Sequence, residues 1–236
     1  MSVCRPTDGA AWDEAKRAEL EIFAASNGWA TADDHAAGEV LDYRPYDERS
    51  EIFTVAPEGE RTPIGVARLI WGSAEQGLDG FMTPKVHELD PEWRWFLEQI
   101  GPTRIGEWGT LGVTTNDGEP LLALCSAMYR MSRARRVDYW LQSVTRPVFV
   151  GLRRRFRTPM VRIGADAVVV GALSIPTLQS LEEMASGRML AWDPVLKRRM
   201  FGAWVDRPRV DDPLFINLAD NTVDLTDRAP AGALVV

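Results

Sequence analysis

Glu107 is the residue of this sequence that is best placed to do proton chemistry. It is a lone acid within the apolar segment RIGEWGTLGVTT at residues 104 to 115, and Trp108 follows it directly. A carboxylate that an indole ring partly desolvates has a raised pKa, which suits a general base that takes a proton from an ammonium group. The alternative is that Glu107 only pairs with a neighbouring cation such as Arg68, since ion pairs also perturb acids.

Arg68 is a permanently charged side chain near the end of an apolar strand pattern, IGVARLIW at residues 64 to 71. Burying a guanidinium is costly unless it has a partner. We expect Arg68 to pair with Asp42 or Asp47 in the preceding segment, or with the carboxylate of a substrate. The alternative is an arginine at a sheet edge that faces solvent.

Other residues suit the rest of an acyl transfer from a thioester. Tyr129 leaves the apolar face of a predicted helix and is a candidate to protonate a leaving thiolate. Large apolar side chains that could line an acyl channel are Phe81, Met82, Met128, Trp140 and Phe149. Packing in the core is the alternative for each of them. His35 and His87 lie in no cluster of residues at metal spacing, so no metal site is predicted.

The patterns around these residues predict alternating helices and strands. An amphipathic helix at residues 10 to 25 ends before Gly28, and a loop with short helical turns follows at 30 to 50. The later predicted elements are a hairpin of strands 51–55 and 64–71, a helix at 91–100 capped by Asp90, a strand at 104–115, a helix from Pro120, a strand at 137–145, a basic helix at 146–156, strands at 160–164 and 168–173, and a helix at 176–186.

This order predicts a mixed α+β fold, with a central twisted mixed sheet flanked by helices in a single domain. It resembles the acyltransferase fold of the GNAT superfamily. Three parts are expected: an N-terminal helix and mobile gate at 1–50, the acyltransferase core at 51–205, and a C-terminal extension at 206–236.

Composition narrows the function classes. The chain of 236 residues has a formal net charge of -7, which argues against a general nucleic-acid binder. Two cysteines, Cys4 and Cys125, form no disulfide framework. No segment reaches the roughly 20 apolar residues that a bilayer span needs, and we expect a cytoplasmic protein.

Four segments together resemble the acyl-homoserine-lactone synthases and the related long-chain N-acyl amino acid synthases. RAELEIFAASNGW is similar to the N-terminal part of that family, with Arg17, Phe23 and Trp29 at the matching positions, and the acids of LDYRPYD follow it. GVARLI is similar to the family's arginine strand, GFMTPKVHEL to the aromatic loop after it, and EWGTLGV to the strand that carries its glutamate. The resemblance implies that Trp29, Asp42, Asp47, Phe81 and Thr110 bind substrate. Trp140 and Phe149 are expected to bind it as part of the acyl channel.

One position departs from the family. Thr110 stands where the lactone synthases have an arginine that belongs to their S-adenosylmethionine site. This difference argues against a lactone product.

The acyl donor is predicted from charge. GNAT enzymes hold the pyrophosphate of coenzyme A at a helix N-terminus, but the matching segment GVTTNDGEP carries Asp117 and Glu119, which repel it. An acidic acyl carrier protein would instead be steered by a basic rim formed by Arg130, Arg133, Arg136, Arg153, Arg154 and Arg155. A solvated helix face is the alternative.

The resemblance therefore implies an N-acyltransferase that moves a fatty acyl group from an acyl carrier protein to the amine of a small metabolite such as an amino acid. No permanently bound cofactor is expected, because acyl-phosphopantetheine or acyl-CoA acts as the donor substrate. Two alternatives stay open: a short-chain acyl-CoA enzyme that acts on a protein or polyamine amine, and a non-catalytic module that binds a carrier protein. The oligomeric state is not predicted.

Overall fold

A computed structural model describes residues 1–115, 118–155, 158 and 160–182, together with the backbone of two strands at 215–218 and 221–224. The strands are β1 Ser2–Cys4, β2 Ser50–Ala56, β3 Gly65–Trp71, β4 Ile105–Val113, β5 Tyr139–Thr145, β6 Met160–Arg162, β7 Ala167–Val169, β8 Ala172–Ser180, β9 Phe215–Leu218 and β10 Asn221–Asp224. The α-helices are α1 Gly9–Glu19, α2 Ala32–Ala37, α3 Thr83–Val86, α4 Pro91–Ile100, α5 Gly118–Ala134 and α6 Arg146–Arg155. Helix α1 continues as a π-helix, Leu20–Ala24, and a 3-10 segment, Leu41–Arg49, precedes β2.

Eight strands form one mixed sheet in the order β1-β2-β3-β4-β5-β8-β6, with β7 also paired to β8. All neighbours are antiparallel except β4 and β5, which are parallel. A parallel pair needs a crossover connection, and α5 provides it. Strands β9 and β10 form a separate antiparallel pair.

The parallel strands β4 and β5 pair only over their first four residues, from Ile105 with Tyr139 to Trp108 with Gln142. Beyond this point β4 stays paired with β3 as far as Val113, and β5 stays paired with β8 as far as Thr145. The two strands therefore part in the middle of the sheet, and a cleft opens between them.

A β-bulge at Gly109 changes which face the residues of β4 occupy. Arg68 pairs with Thr110 and Leu69 with Trp108, so Gly109 is the extra residue outside the ladder. Paired residues share a face, and side chains alternate along β3. Glu107 and Thr110 consequently lie on the same face of β4, which a regular strand would forbid for residues three apart.

Helices cover both faces of the sheet. Helix α5 packs on one face in a core with residues of β2, β3 and β5, among them Phe53, Leu69, Met128 and Trp140. Helix α1 covers β2 and β3 on the other face through Ala15 and Ala18, which contact Ile52 and Val66. Asp8 caps α1, because its carboxylate accepts a hydrogen bond from the Ala11 amide at 2.9 Å.

The mixed α+β class with a central mixed sheet that the sequence predicts is confirmed, and most of the predicted elements are present. Two predicted elements are wrong, and some were missed. The strand predicted at 168–173 is part of a hairpin, with β7 and β8 joined by a turn at residues 170–171. Residues 176–180 of the predicted helix 176–186 belong to β8, because Thr177 and Gln179 are buried and hydrogen-bonded to Gln142 of β5. Residues 183–186 of the predicted helix 176–186 lie outside the described residues. The sequence patterns did not predict β1, α3, β9 or β10.

Gly28 ends the first helical segment as expected, with a left-handed φ of 70°. The gate predicted for residues 30–50 contains α2 and the 3-10 segment. Most of the predicted C-terminal extension at 206–236 lies outside the described residues. Within the described part of the chain, no helix has the length and apolar character to cross a membrane.

Candidate active site

The cleft between the diverging strands has a volume of about 400 Å³. Its walls come from β4, β5, the start of α6, the hairpin between β7 and β8, and the helical segments after α1. Its lining residues are Phe23, Asn27, Trp29, Tyr43, Met82, Glu107, Trp108, Gly109, Thr110, Leu111, Gln142, Ser143, Val144, Thr145, Pro147, Val148, Val169, Val170, Ala172 and Ser174. Most of these side chains are apolar, and the acid among them is Glu107.

Glu107 is 1 % exposed and its carboxylate caps the first turn of α3. The amide of Met82 donates to Oε2 at 2.7 Å, and the amide of Thr83 donates to Oε1 at 2.6 Å. Arg49 holds the loop before α3, donating to the carbonyls of Trp71 and Gly80. The acid is therefore positioned by backbone amides, and Arg68 is not its partner.

Burial raises the pKa of Glu107 above the usual value of 4.5, while the hydrogen bonds from Thr83 and Met82 and the charge of Arg49 oppose the rise. A carboxylate has about four lone-pair sites, and the two amides occupy one on each oxygen. The remaining sites can accept a proton or a hydrogen bond from an ammonium group.

A chain of polar side chains leads from α3 to β5. The hydroxyls of Thr83 and Ser143 are 2.9 Å apart, and Ser143 Oγ lies 3.0 Å from Nε2 of His87. Nδ1 of His87 lies 2.9 Å from the carbonyl oxygen of Ala165. These residues and Glu107 thus form one polar group at the point where β4 and β5 part. Sequence spacing carries no signal for it, because His87 and Ser143 are 56 residues apart.

Arg68 is 1 % exposed and lies on the same face of the sheet as Glu107, where it pairs with two acidic side chains. It donates to both oxygens of Glu19, from Nε at 2.9 Å and from Nη2 at 2.7 Å, and its Nη1 donates to Asp47 at 2.8 Å. The hydroxyl of Thr110 donates to Glu19 at 2.5 Å. Glu19 therefore links α1 to β3 and β4.

The ion pairs continue outward from Asp47. Lys16 donates to Asp47 at 2.7 Å and also pairs with Glu39, which accepts from Nε of Arg44 at 2.6 Å. The pKa of Lys16 is raised, because its hydrogen bonds to Asp47 and Glu39 outweigh the opposing effect of burial. The N-terminal segments are thus fixed to the sheet by a continuous ionic network.

Tyr43 closes the floor of the cleft beside this network. Its hydroxyl donates to the carbonyl oxygen of Gly109. The carbonyl group of the bulged residue is therefore hydrogen-bonded although Gly109 lies outside the ladder. Its ring lies 5.1 Å from the Arg68 guanidinium.

Four of the residues predicted for the site or its acyl channel line the cleft together, namely Trp29, Met82, Glu107 and Thr110. Trp29 packs edge-on against Phe23, with ring centroids 5.3 Å apart. Arg68 has its expected acidic partner in Asp47, whereas Asp42 is exposed and does not reach it. Glu19 was missed, although it occupies an apolar-face position of the first helix with Ala15, Ala18 and Ile22, where a charge needs a partner.

Five other predictions need correction. Tyr129 is 1 % exposed and lies on the face of α5 that packs in the core. Burial raises its pKa, and it does not line the cleft. Phe81 and Trp140 are also core residues, and the Trp140 indole donates to Ser132 at 2.8 Å. Phe149 lies on α6 beneath Arg153 rather than in the cleft lining. Met128 is likewise buried in the core, whereas Phe149 is half-buried.

The predicted basic rim is only partly present. Arg133 is buried and donates to Asp138 at 3.0 Å, and burial lowers the pKa of Arg130. Arg136 and Arg153 are exposed. The side chains of Arg154 and Arg155 and the whole of Asp117 lie outside the described residues.

The described residues contain no group of three or more His, Cys, Asp or Glu that could hold a metal ion. Sequence comparisons find no matching family model and no similar curated protein.

Solved structures, in contrast, share the fold. The CoA-dependent acyl-homoserine lactone synthase BjaI, solved with SAM and isopentyl-CoA, is 19 % identical, with a TM-score of 0.54 over 80 % of this chain and 81 % of that one. FeeM, an N-acyl amino acid synthase from uncultured soil microbes, is 14 % identical, with a TM-score of 0.54 over 77 % of this chain and 91 % of that one. The AHL synthase LasI is 13 % identical, with a TM-score of 0.51 over 76 % and 88 %. The resemblance that the sequence motifs indicate is thus confirmed at the level of the fold: this chain shares the fold of acyl-homoserine lactone synthases and of an N-acyl amino acid synthase.

Proposed function

We propose that the protein is an N-acyltransferase that moves an acyl group from a thioester to the amine of a small metabolite. The observation that carries this proposal is the parting of β4 and β5, which opens an apolar cleft with the buried acid Glu107 at its inner end. The structural neighbours include enzymes of this reaction class, which supports the same reading.

The cleft matches the needs of the reaction. Apolar side chains such as Phe23, Val144 and Val169 offer a wall for an acyl chain. Glu107 has lone pairs free to receive the proton of an incoming ammonium group, which must become a neutral amine before it attacks the thioester carbonyl. A raised pKa helps it to take that proton near neutral pH.

The acceptor is proposed to be recognised through its amine rather than through a carboxylate at Arg68. The guanidinium is taken up by Glu19 and Asp47. Thr110 adds no cation and instead donates to Glu19. This favours an N-acylated product without a lactone ring, in agreement with the departure at Thr110 from the lactone synthases.

An acyl carrier protein remains the proposed donor, with coenzyme A as the alternative. Exposed Arg136 and Arg153 support it, as does Glu119 in the first turn of α5, where a negative charge opposes binding of a pyrophosphate. The donor is decided by comparing kcat/KM for the same acyl group on a carrier protein and on coenzyme A. A carrier donor predicts a steep loss of rate with added salt.

The reaction is tested by thiol release from acyl thioesters in the presence of a panel of amines, with mass spectrometry of the products. Glu107→Gln should lower amine-dependent turnover by about 100-fold or more, as expected for loss of a general base. Glu98→Gln on the exposed face of α4 is the matched control and should leave turnover unchanged. The proposal fails if the wild type consumes no donor with any amine.

A further inference from the structure

Ser143 and His87 have the geometry of a nucleophile and its base. Ser143 is half-buried, lines the cleft, and places Oγ 3.0 Å from Nε2 of His87. His87 is 3 % exposed, so its ring has little freedom to turn. A hydroxyl in reach of an imidazole that a third group orients is the arrangement that activates serine nucleophiles.

The tautomer of His87 follows from its partners. The carbonyl oxygen of Ala165 can only accept a hydrogen bond, so Nδ1 carries the proton that it receives. Nε2 then has a free lone pair and accepts the hydroxyl proton of Ser143. Burial lowers the pKa of His87, although the Ala165 carbonyl and Asp166 oppose this, and the ring stays neutral and able to act as a base.

Thr83 places this pair next to Glu107. Its hydroxyl lies 2.9 Å from Ser143 Oγ, while its amide donates to Glu107. The Thr83 hydroxyl lies close enough to hold Ser143 Oγ in place beside His87. Thr83 is a positioning residue in this scheme.

We propose that Ser143 accepts the acyl group and that His87 is its general base, so that transfer proceeds through an acyl-serine ester. The idea rests on the thioester-binding half of the proposed function and does not depend on the amine. Activated acyl esters and thioesters are its substrate class.

The atoms balance over two steps. In the first, Ser143 Oγ attacks the thioester carbonyl carbon and gives its proton to Nε2; the C–S bond then breaks, and the thiolate leaves with that proton. In the second, an amine or water attacks the ester carbonyl and gives a proton to Nε2; the bond to Oγ breaks, and Ser143 takes the proton back.

The test uses the full chain and a fluorophosphonate probe, which phosphonylates activated serines with loss of fluoride. We expect a single mass increment that peptide mapping assigns to Ser143. Ser143→Ala should abolish the label, and His87→Gln, which keeps an acceptor near Nε2 without a base, should slow it by about 100-fold. Ser73→Ala is the control and should label like the wild type.

A second measurement asks for the intermediate itself. Incubation with an acyl-CoA and no amine, followed by acid quench, should give an acyl increment on Ser143. Absence of label on Ser143 in the folded wild type, or equal labelling rates in His87→Gln and the wild type, overturns the dyad.

The two proposals fail separately. Full amine-dependent turnover by Ser143→Ala would leave the acyltransferase standing and refute the acyl-serine. A labelled, acylated Ser143 with no transfer to any amine would support the dyad and refute the proposed acceptor.

Discussion

Glu107 and Thr110 lie on one face of β4 although they are three residues apart, because Gly109 forms a bulge between them. Glu107 then faces α3, while Thr110 reaches Glu19 and the Arg68 network. The same bulge lies where β4 turns away from β5. One backbone irregularity thus places an acid at the end of the cleft and the ionic network beside it.

Replacing Gly109 with alanine tests the bulge. The new Cβ would lie 3.1 Å from the Tyr43 ring and 3.2 Å from the Arg68 side chain, which is closer than ordinary contact. We expect the free energy of unfolding, measured in urea, to fall by about 1–3 kcal/mol. Gly9→Ala is the control, because a Cβ there meets nothing within 4 Å and Gly9 lies in a helix. Equal stability of the two variants would mean that the bulge tolerates a side chain.

The Arg68–Glu19 pair should show strong coupling in a double-mutant cycle. Glu19→Gln or Arg68→Met alone leaves a buried charge without its main partner, at a cost of about 3–5 kcal/mol in the free energy of unfolding. The double variant should recover much of this loss. The exposed pair Arg162–Asp166 is the comparison, and its removal should cost less than about 1 kcal/mol. Additive losses for Arg68 and Glu19 would contradict a coupled pair.

Glu107 should make stability fall as pH rises. Its pKa is raised in the folded protein by burial, so the folded state holds its proton at pH values where the unfolded chain, with a pKa near 4.5, has lost it. Glu107→Gln removes this dependence. The stability of the wild type relative to the variant should therefore decline from about pH 4.5 upward, as measured by urea unfolding at several pH values. A constant difference would show that the pKa of Glu107 is not raised.

His87 should make the stability of the protein fall as pH is lowered. Its pKa is lowered by burial, so the unfolded chain binds a proton below about pH 6.5 while the folded state does not. Wild-type stability should fall relative to His87→Gln as pH drops from about 6.5 through the folded pKa. Asp166→Asn is a useful companion, because the Asp166 charge raises the pKa of His87 and its removal should shift the loss to lower pH.

Local patterns predicted most of the elements because their causes are local. Apolar spacing, Pro91 at the first position of α4 and Gly28 at a helix end mark where helices begin and end. The predicted capping by Asp90 is only positional, because its side chain makes no capping hydrogen bond. The segment 176–180 shows the limit of this reasoning. Leu178 and Leu181 have a helical spacing, yet hydrogen bonding to Gln142 across the sheet makes the segment a strand.

The sequence by itself determined that the chain has a mixed α+β fold and singled out Glu107 and Arg68, because strand patterns and lone charges in apolar segments are visible in one dimension. Only the tertiary structure decided that Glu19 and Asp47 neutralise Arg68, that Tyr129 and Trp140 are core, and that His87 meets Ser143. These contacts join residues far apart in the chain, and they depend on the sheet register, on the Gly109 bulge and on the parting of β4 from β5. No local pattern encodes such relationships, since each arises only when separate elements pack together.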